Sequence, residues 1–137
     1  MAKKPKVVLS RGKRKEAIAR ASVRSGSGNI IINGKNWKVY FADPHFQLYL
    51  QDLLNLIGKK LNKLDIKINV KGGGIVGQLQ AVRTAIARGV VAYTQDETLE
   101  QQIDEYDKFV LTEDARRVEP KKDRQRKARA KFQKSYR

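Results

Sequence analysis

The distribution of charge along the chain sets the strongest limit on what it can fold into. Residues 112–137 hold eleven Lys or Arg and four acids, and their few apolar residues follow no helical or strand period. Residues 1–24 are also basic, with nine Lys or Arg and one acid, whereas residues 25–111 hold ten Lys or Arg and nine acids. A segment with so little apolar surface cannot offset its own chain entropy by burial. The pattern therefore predicts a globular body over 1–111 with a basic N-terminal strand region, and an extended basic tail over 112–137.

The formal net charge of +16 indicates a polyanionic partner, either a nucleic acid or an anionic membrane. The apolar stretches are far shorter than the roughly 20 residues of a membrane span, and no apolar region follows the basic N-terminus to form a secretory signal. There is no Cys and only one His, His45, so neither a thiolate zinc site nor a catalytic triad is expected. The default expectation is therefore a soluble intracellular protein without a membrane span, in which little is left for metal chemistry.

Alternating and β-branched segments predict a small sheet. Val7–Leu9 begins a strand, residues 17–24 alternate apolar and polar side chains, and Ile30–Ile32 is a β-branched run after a Gly-rich turn. The alternating segment and the Ile run are predicted to form an antiparallel hairpin. Asp65–Lys71 alternates strictly, and Phe109–Leu111 is interpreted as a last strand.

Helical periodicity appears in three places. Asp43 and Pro44 are typical of a helix start, and apolar residues at helical spacing follow until Gly58. A second helix is predicted over about 77–93, and a short acidic one around Leu99, Ile103 and Tyr106. Together these elements predict an α+β body, with a three- or four-stranded, mostly antiparallel sheet that carries helices on one face.

The segment Gly72-Gly73-Gly74-Ile75-Val76-Gly77 matches the spacing G-x-G-x-x-G between a strand and a helix. A dinucleotide site would also need an acidic residue at the end of a second strand about 20 positions later, and no strand precedes Asp96 and Glu97. The residues support two interpretations of the glycines equally. Backbone N–H groups at the helix start, beside Lys71, would bind an RNA phosphate, or the glycines would only permit a tight turn.

Other charged residues fall on helices. Arg88 projects from the polar side of its helix and would reach a phosphate, whereas Arg83 lies nearer the apolar stripe and is expected to pair with an acid or to snorkel. The acidic cluster between Asp96 and Asp107 is interpreted as a solvated face rather than a metal site, because helical spacing spreads its carboxylates.

Several ordered motifs resemble the universal family of small-subunit ribosomal protein number nine, over essentially the whole chain. They are Gly12-Lys13-Arg14-Lys15-Glu16-Ala17-Ile18-Ala19-Arg20, Val70-Lys71-Gly72-Gly73-Gly74 with Gly77-Gln78, Ala85-Ile86-Ala87-Arg88, Asp114-Ala115-Arg116-Arg117-Val118-Glu119-Pro120-Lys121-Lys122, Lys127-Ala128-Arg129, and Gln133-Lys134-Ser135-Tyr136-Arg137. The ending with Tyr136, where bacterial members typically have Lys, is similar to archaeal and eukaryotic members. The short N-terminus and the segment 123–126 favour an archaeal-type member.

The resemblance implies the ribosomal S5 domain 2-like fold, with an unusual left-handed βαβ crossover. It implies a structural role, without enzyme activity, in the head of the small ribosomal subunit in the cytoplasm, beside neighbouring head proteins and bound to 16S-type rRNA. It also implies no cofactor, no metal, no membrane partner and no small-molecule substrate. It also implies that the tail reaches the anticodon stem-loop of P-site tRNA, through Lys134, Ser135, Tyr136 and Arg137. Whether Tyr136 contacts tRNA by stacking or through its hydroxyl is left open.

Clustered charge and resemblance together define the expected rRNA-binding residues. Charge clusters bind phosphate, and interleaved Phe132 and Tyr136 can stack on unpaired bases. The expected set is Arg11, Lys13, Arg14, Lys15, Lys71, Gly72, Gly73, Gly74, Arg88, Arg116, Arg117, Lys121, Lys122, Arg124, Arg126, Lys127, Arg129 and Lys131. A free chromatin-like protein and a small nucleotide-dependent enzyme are the alternatives, with much weaker support from the sequence.

Overall fold

The computed structural model describes residues 6–136 of the 137-residue chain. The expectations placed on the first five residues and on Arg137 lie outside the described residues. The elements, in chain order, are β1 (Val7–Arg14), β2 (Ala17–Ser25), β3 (Ile30–Ile32), β4 (Lys35–Asn36), α1 (Trp37–Tyr40), α2 (Pro44–Ile57), a 3₁₀ helix (Gly58–Lys63), β5 (Leu64–Lys71), α3 (Ile75–Thr94), α4 (Glu97–Tyr106) and α5 (Lys108–Leu111).

Five strands form one sheet in the order β1-β2-β5-β3-β4. The pairs β1/β2, β2/β5 and β3/β4 are antiparallel, and β3/β5 is parallel. The predicted α+β class and the mostly antiparallel character are confirmed, with one or two more strands than expected. The strand that was not predicted is β4, whose two residues carry no period that a sequence pattern would reveal.

The predicted hairpin between the alternating segment and the Ile run is wrong. β3 does not pair with β2; it lies on the far side of β5, with Ile30 opposite Ile66 and Ile32 opposite Ile68 in parallel register. The connecting loop crosses the end of β5, where Oδ1 of Asp65 accepts hydrogen bonds from the backbone N–H groups of Ser27 (2.9 Å) and Asn29 (3.1 Å). These bonds lower the pKa of Asp65. The loop is therefore held by a carboxylate that lies about 40 residues further along the chain, which a local turn signal cannot reveal.

The helix predicted from Asp43 and Pro44 is confirmed. The side chain of Asp43 accepts a hydrogen bond from the backbone N–H of His45, Pro44 is the first helical residue, and the helix ends at Gly58, which has a φ of +67°. α2 buries its apolar stripe, while His45 is exposed. Together with α1, it connects β3 to the parallel strand β5.

α3 covers one face of the sheet. Its buried residues include Leu79, Val82, Ile86 and Val90, which confirms the predicted stripe, and they pack against the alternate residues of β2 and β5 that point inward. The opposite side chains of these strands remain exposed or half-buried. α3 thus leaves the second face of the sheet open, and this open face bears on function.

The segment interpreted as a last strand, Phe109–Leu111, is helical. Asp107 ends α4 and its side chain accepts a hydrogen bond from the backbone N–H of Phe109 (2.9 Å), so the chain turns directly into the short α5. The capping carboxylate overrides the β propensity of three apolar residues. The predicted acidic helix is confirmed as α4, with Asp96 as its N-cap.

Candidate nucleic-acid interface

The open face of the sheet concentrates basic side chains from three strands. In the β1/β2 register Arg11 stands opposite Arg20, and in the β2/β5 register Ile18 stands opposite Lys71 and Ser22 opposite Lys67. Arg11, Arg20, Arg24, Lys67 and Lys71 are exposed, and Lys13 is half-buried. Like charges directly opposite each other on neighbouring strands are destabilising, so this face favours an anionic partner.

Three cations of this face, Arg20, Arg24 and Lys67, were not among the predicted binding residues. The alternation of strand residues already put Arg20 and Arg24 on the polar face of their own strand. Only the order and register of β1, β2 and β5 show that this polar face continues across three strands.

The predicted cluster of Arg11, Lys13, Arg14 and Lys15 is divided between two environments. Lys15 lies in the β1–β2 turn with a φ of +52° and is exposed, and Arg11 belongs to the open face. Arg14 points the other way: its Nε donates to Oε1 of Gln80 (2.7 Å) and its Nη1 lies 3.2 Å from Oδ2 of Asp114. Arg14 is therefore already engaged inside the body.

The glycine loop combines a steric requirement with an accessible helix start. Gly72 and Gly73 have φ values of +78° and +64°, and a Cβ at Gly72 would lie 2.5 Å from the carbonyl oxygen of Glu16. Gly74, the N-cap of α3, has open space around it, and residues 72–76 are exposed. Turn geometry thus explains the first two glycines, and the helix start beyond them remains open to a phosphate.

Arg88 is half-exposed and already bonded within the protein. Its Nε donates to the carbonyl oxygen of Leu111 (2.6 Å), and its Nη1 donates to the carbonyl oxygen of Arg11 (3.1 Å) and to Oε1 of Glu113 (3.2 Å). These bonds join α3 to β1 and to the chain after α5. In this conformation Arg88 links parts of the body, and a bound phosphate would have to share its guanidinium with these acceptors.

The basic residues of the tail are not brought onto the body. Every hydrogen bond and ion pair described for residues 119–136 joins two residues of that segment, such as Arg129 with Glu119 (2.8 Å) and Lys122 with Glu119 (3.3 Å). One isolated bridge pairs Gln125 with Lys131. The side chains of the basic residues are exposed; they are Arg117, Lys121, Lys122, Arg124, Arg126, Lys127, Arg129, Lys131 and Lys134.

Asp114 anchors the start of the tail. It is buried, Arg116 Nη2 and Nε donate to its Oδ2 (2.6 and 2.9 Å), and Arg14 of β1 lies beside it. Hydrogen bonds from the Arg116 side chain and backbone lower the pKa of Asp114 to about 2. Packing against the body therefore continues past Leu111, and the exposed tail leaves the body at Arg116.

Acid titration should reveal this anchor. Because the folded-state pKa of Asp114 lies below its ordinary value of 3.8, its stabilising effect is complete above that value and is lost as pH falls towards about 2. We expect Asp114→Asn to lower the Tm by a constant amount between about pH 7 and pH 5, and the difference from wild type to shrink below about pH 4. Melting curves recorded by circular dichroism between about pH 7 and about pH 2 measure this difference in Tm.

Asp104→Asn is the matched control, because Asp104 is exposed on α4. Its Tm should follow that of wild type at every pH. A difference between Asp114→Asn and wild type that stayed constant down to pH 2 would contradict the assigned role of the ionised carboxylate.

Among residues 6–136, no helix is long and apolar enough to cross a membrane.

Comparison with known proteins identifies the family. The family model for ribosomal protein S9/S16 matches residues 12–137. The small ribosomal subunit protein uS9 of Pyrobaculum aerophilum is 43% identical over 136 residues, covering 97% of this chain and 93% of that protein. The uS9 proteins of Picrophilus torridus (43% over 130 residues) and Thermoplasma volcanium (45% over 130 residues) cover 95% of this chain and 97% and 98% of their own length. These archaeal relatives confirm the resemblance read from the motifs, and the chain belongs to the ribosomal protein S9/S16 family.

Proposed function

We propose that the protein is a structural constituent of the small ribosomal subunit that binds 16S-type rRNA in the subunit head and reaches P-site tRNA with its tail. As a member of this family the chain is a ribosomal protein of the cytoplasmic ribosome and not an enzyme. The observation that supports the proposal most is the separation of charge from the core. Many of its cations occupy an open sheet face and the segment 119–136, whose described hydrogen bonds and ion pairs all stay within that segment.

The proposal includes the ribosomal S5 domain 2-like fold. A parallel β3/β5 pair, connected through α1 and α2 within an otherwise antiparallel sheet, is the arrangement that a βαβ crossover of this fold requires. The left-handed sense of the crossover is part of the proposal.

The rRNA-binding surface of the body has two parts. The first is the open face, where Arg11, Lys13 and Lys71 are joined by Arg20, Arg24 and Lys67. The second is the exposed start of α3, where backbone N–H groups and the helix dipole favour a phosphate near Gly74. Lys15 lies in the β1–β2 turn and extends the basic surface.

The tail supplies the larger electrostatic contribution. Its arginines bind phosphates through planar forks and stack on bases, and each neutralised phosphate releases counterions. Cζ of Arg126 lies 5.4 Å from the ring centroid of Phe132. The exposed tail therefore places a cation beside an aromatic ring. These exposed groups can follow a groove between RNA helices where a folded domain cannot enter.

The last four residues are proposed to contact P-site tRNA. We expect deletion of residues 134–137 to leave subunit assembly unchanged and to weaken P-site tRNA retention. Only the tip of the tail is removed, while the upstream cations continue to bind rRNA. The measurements are sedimentation of reconstituted small subunits and the dissociation rate of P-site tRNA from them.

Substitutions at Tyr136, which is 92% exposed, separate the possible contacts. Tyr136→Phe keeps the ring and removes the hydroxyl, and Tyr136→Lys replaces both with a charge. Retention that survives Tyr136→Phe assigns the contact to stacking. An unchanged tRNA dissociation rate after removal of residues 134–137 would reject the tRNA role and leave the rRNA role intact.

A further inference from the structure

A small, partly open polar cavity lies where α2, α3, α5, β1 and the start of the tail meet. Its volume is about 190 Å³, far above the roughly 10–15 Å³ that one water needs. It is lined by Lys13, Arg14, Tyr49, Gln80, Arg83, Thr84, Asp107, Phe109, Val110, Asp114 and Arg116.

Arg83 faces this cavity with its hydrogen-bonding capacity unused. It is only 3% exposed, and its Cζ lies 3.9 Å from the ring centroid of Tyr49. Its nearest carboxylate oxygen, Oδ2 of Asp107, is 3.8 Å from Nη1, and no hydrogen bond is described for its guanidinium. Nε is buried and has no partner within residues 6–136. A buried guanidinium with five donors is costly to leave without acceptors.

A second guanidinium in the same cavity is also incompletely satisfied. Nη1 of Arg14 is buried and lacks a hydrogen-bond acceptor in the described part of the chain, although it lies 3.2 Å from Oδ2 of Asp114 as an ion pair. That carboxylate is already occupied by the closer donors of Arg116. Two arginines, from β1 and from α3, therefore present buried N–H groups to one space.

The side chains around the cavity carry an excess of positive charge. Three cations (Arg14, Arg83 and Arg116) face two carboxylates, Asp107 and Asp114. One positive charge remains, beside the buried Arg83, where low exposure strengthens electrostatic interactions. Donors from different elements, directed into one partly open cavity, suit a tetrahedral oxyanion, and guanidinium forks match phosphate oxygens.

We propose that this cavity binds a phosphate group through Arg83 and Arg14. The phosphate is either inorganic phosphate or a backbone phosphate of RNA; the second form rests on the proposed rRNA binding and the first does not. The bound anion would fasten α3, α5 and the start of the tail to β1. This would set the direction in which the tail leaves the body.

Phosphate binding to the full chain tests the site. Isothermal titration with inorganic phosphate at constant ionic strength is carried out on wild type, Arg83→Gln, Arg14→Gln and Lys59→Gln. Each substitution removes one positive charge, and Lys59 is exposed outside the cavity, so Lys59→Gln is the matched control. We expect one tight equivalent in wild type and in Lys59→Gln, and about tenfold weaker binding in Arg83→Gln.

Arg14→Gln keeps the test decisive if Arg83→Gln does not fold. Arg14 is half-buried and Asp114 keeps its bonds from Arg116, so loss of the Arg14 guanidinium should weaken phosphate binding several-fold while the melting curve stays cooperative. Equal phosphate binding by the two cavity variants and Lys59→Gln would overturn the proposal, because it would show only diffuse attraction to a basic chain.

Binding to protein-free rRNA distinguishes the two sources of phosphate. If the ligand is an RNA phosphate, the cavity variants should lose rRNA affinity relative to Lys59→Gln, with a salt slope lower by about 1, and added phosphate should abolish the difference. If the ligand is inorganic phosphate, rRNA affinities should be equal although phosphate binding is lost. Absence of rRNA binding by wild type would reject the proposed function and would leave the phosphate result standing.

Discussion

Replacing Gly12 with Ala should destabilise the body more than any other single methyl group added to a glycine of β1 or α3. Gly12 lies on β1 where the strand passes directly against α3. A Cβ there would clash with the carbonyl oxygen of Ala81 and lie 2.8 Å from the backbone nitrogen of Ala85. These are backbone atoms of a long helix, so they cannot rotate away as a side chain can. We expect Gly12→Ala to lower the free energy of unfolding by about 3 kcal/mol, which corresponds to a fall in Tm on the order of 10 °C.

Gly74→Ala is the matched control for this substitution. Nothing lies within 4 Å of a Cβ at Gly74, and its φ of −93° is accessible to Ala. Its stability should stay within about 1 kcal/mol of wild type. Urea unfolding of both variants measures the effect. A Gly12→Ala protein as stable as Gly74→Ala would mean that β1 and α3 are not in the direct contact that the structure shows.

The close contact between β1 and α3 shows a role of Gly12 that the sequence does not reveal. Gly12, together with Lys13, Arg14 and Lys15, is expected from the sequence to interrupt the strand that begins at Val7. This expectation is wrong, because Gly12 is buried within the unbroken strand β1. The sequence shows that Gly12 is small and that its neighbours are charged. It does not show that a helix some 70 residues later packs on the same position.

Local signals predicted the elements and failed on their long-range pairing. α2, α3, α4, β2 and β5 were predicted from period, caps and glycine stops, because each depends on residues within a few positions. The position of β3 beside β5 depends on Asp65 holding a distant loop, and the helical state of Phe109 depends on the cap at Asp107. Pairing and capping of this kind compete with propensity and override it.

The candidate site shows the same limit. Arg83 was expected to pair with an acid, and its 3.8 Å contact with Asp107 confirms this, but helical period could not show that the residue faces a cavity shared with Arg14. Arg116, an expected rRNA-binding residue, also donates hydrogen bonds to Asp114, and the sequence does not show that this carboxylate is buried against the body. Composition thus predicts the class of ligand, and only tertiary structure separates cations that support the fold from those free to bind.

Deleting residues 120–137 should change rRNA binding more than any substitution in the body. The segment carries nine Lys or Arg and one acid, and the ion pairs and hydrogen bonds described for residues 121–136 do not reach the body. The truncated protein should therefore keep its Tm. If most of the nine cations neutralise phosphates, the slope of log K against log salt should become shallower by about 6, and rRNA affinity in about 50 mM salt should fall by a factor on the order of 10³ or more.

A chain with residues 120–137 in permuted order is the matched control, because it preserves length and charge. The permuted tail should retain most of the salt slope, since counterion release depends on charge and not on order. It should still bind less tightly than wild type wherever arginine forks and the ring of Phe132 meet particular phosphates and bases. Filter binding across a salt series separates the two contributions. A truncated chain with the slope and affinity of wild type would place the rRNA contacts on the body alone, and residues 120–137 would then have no part in holding the RNA.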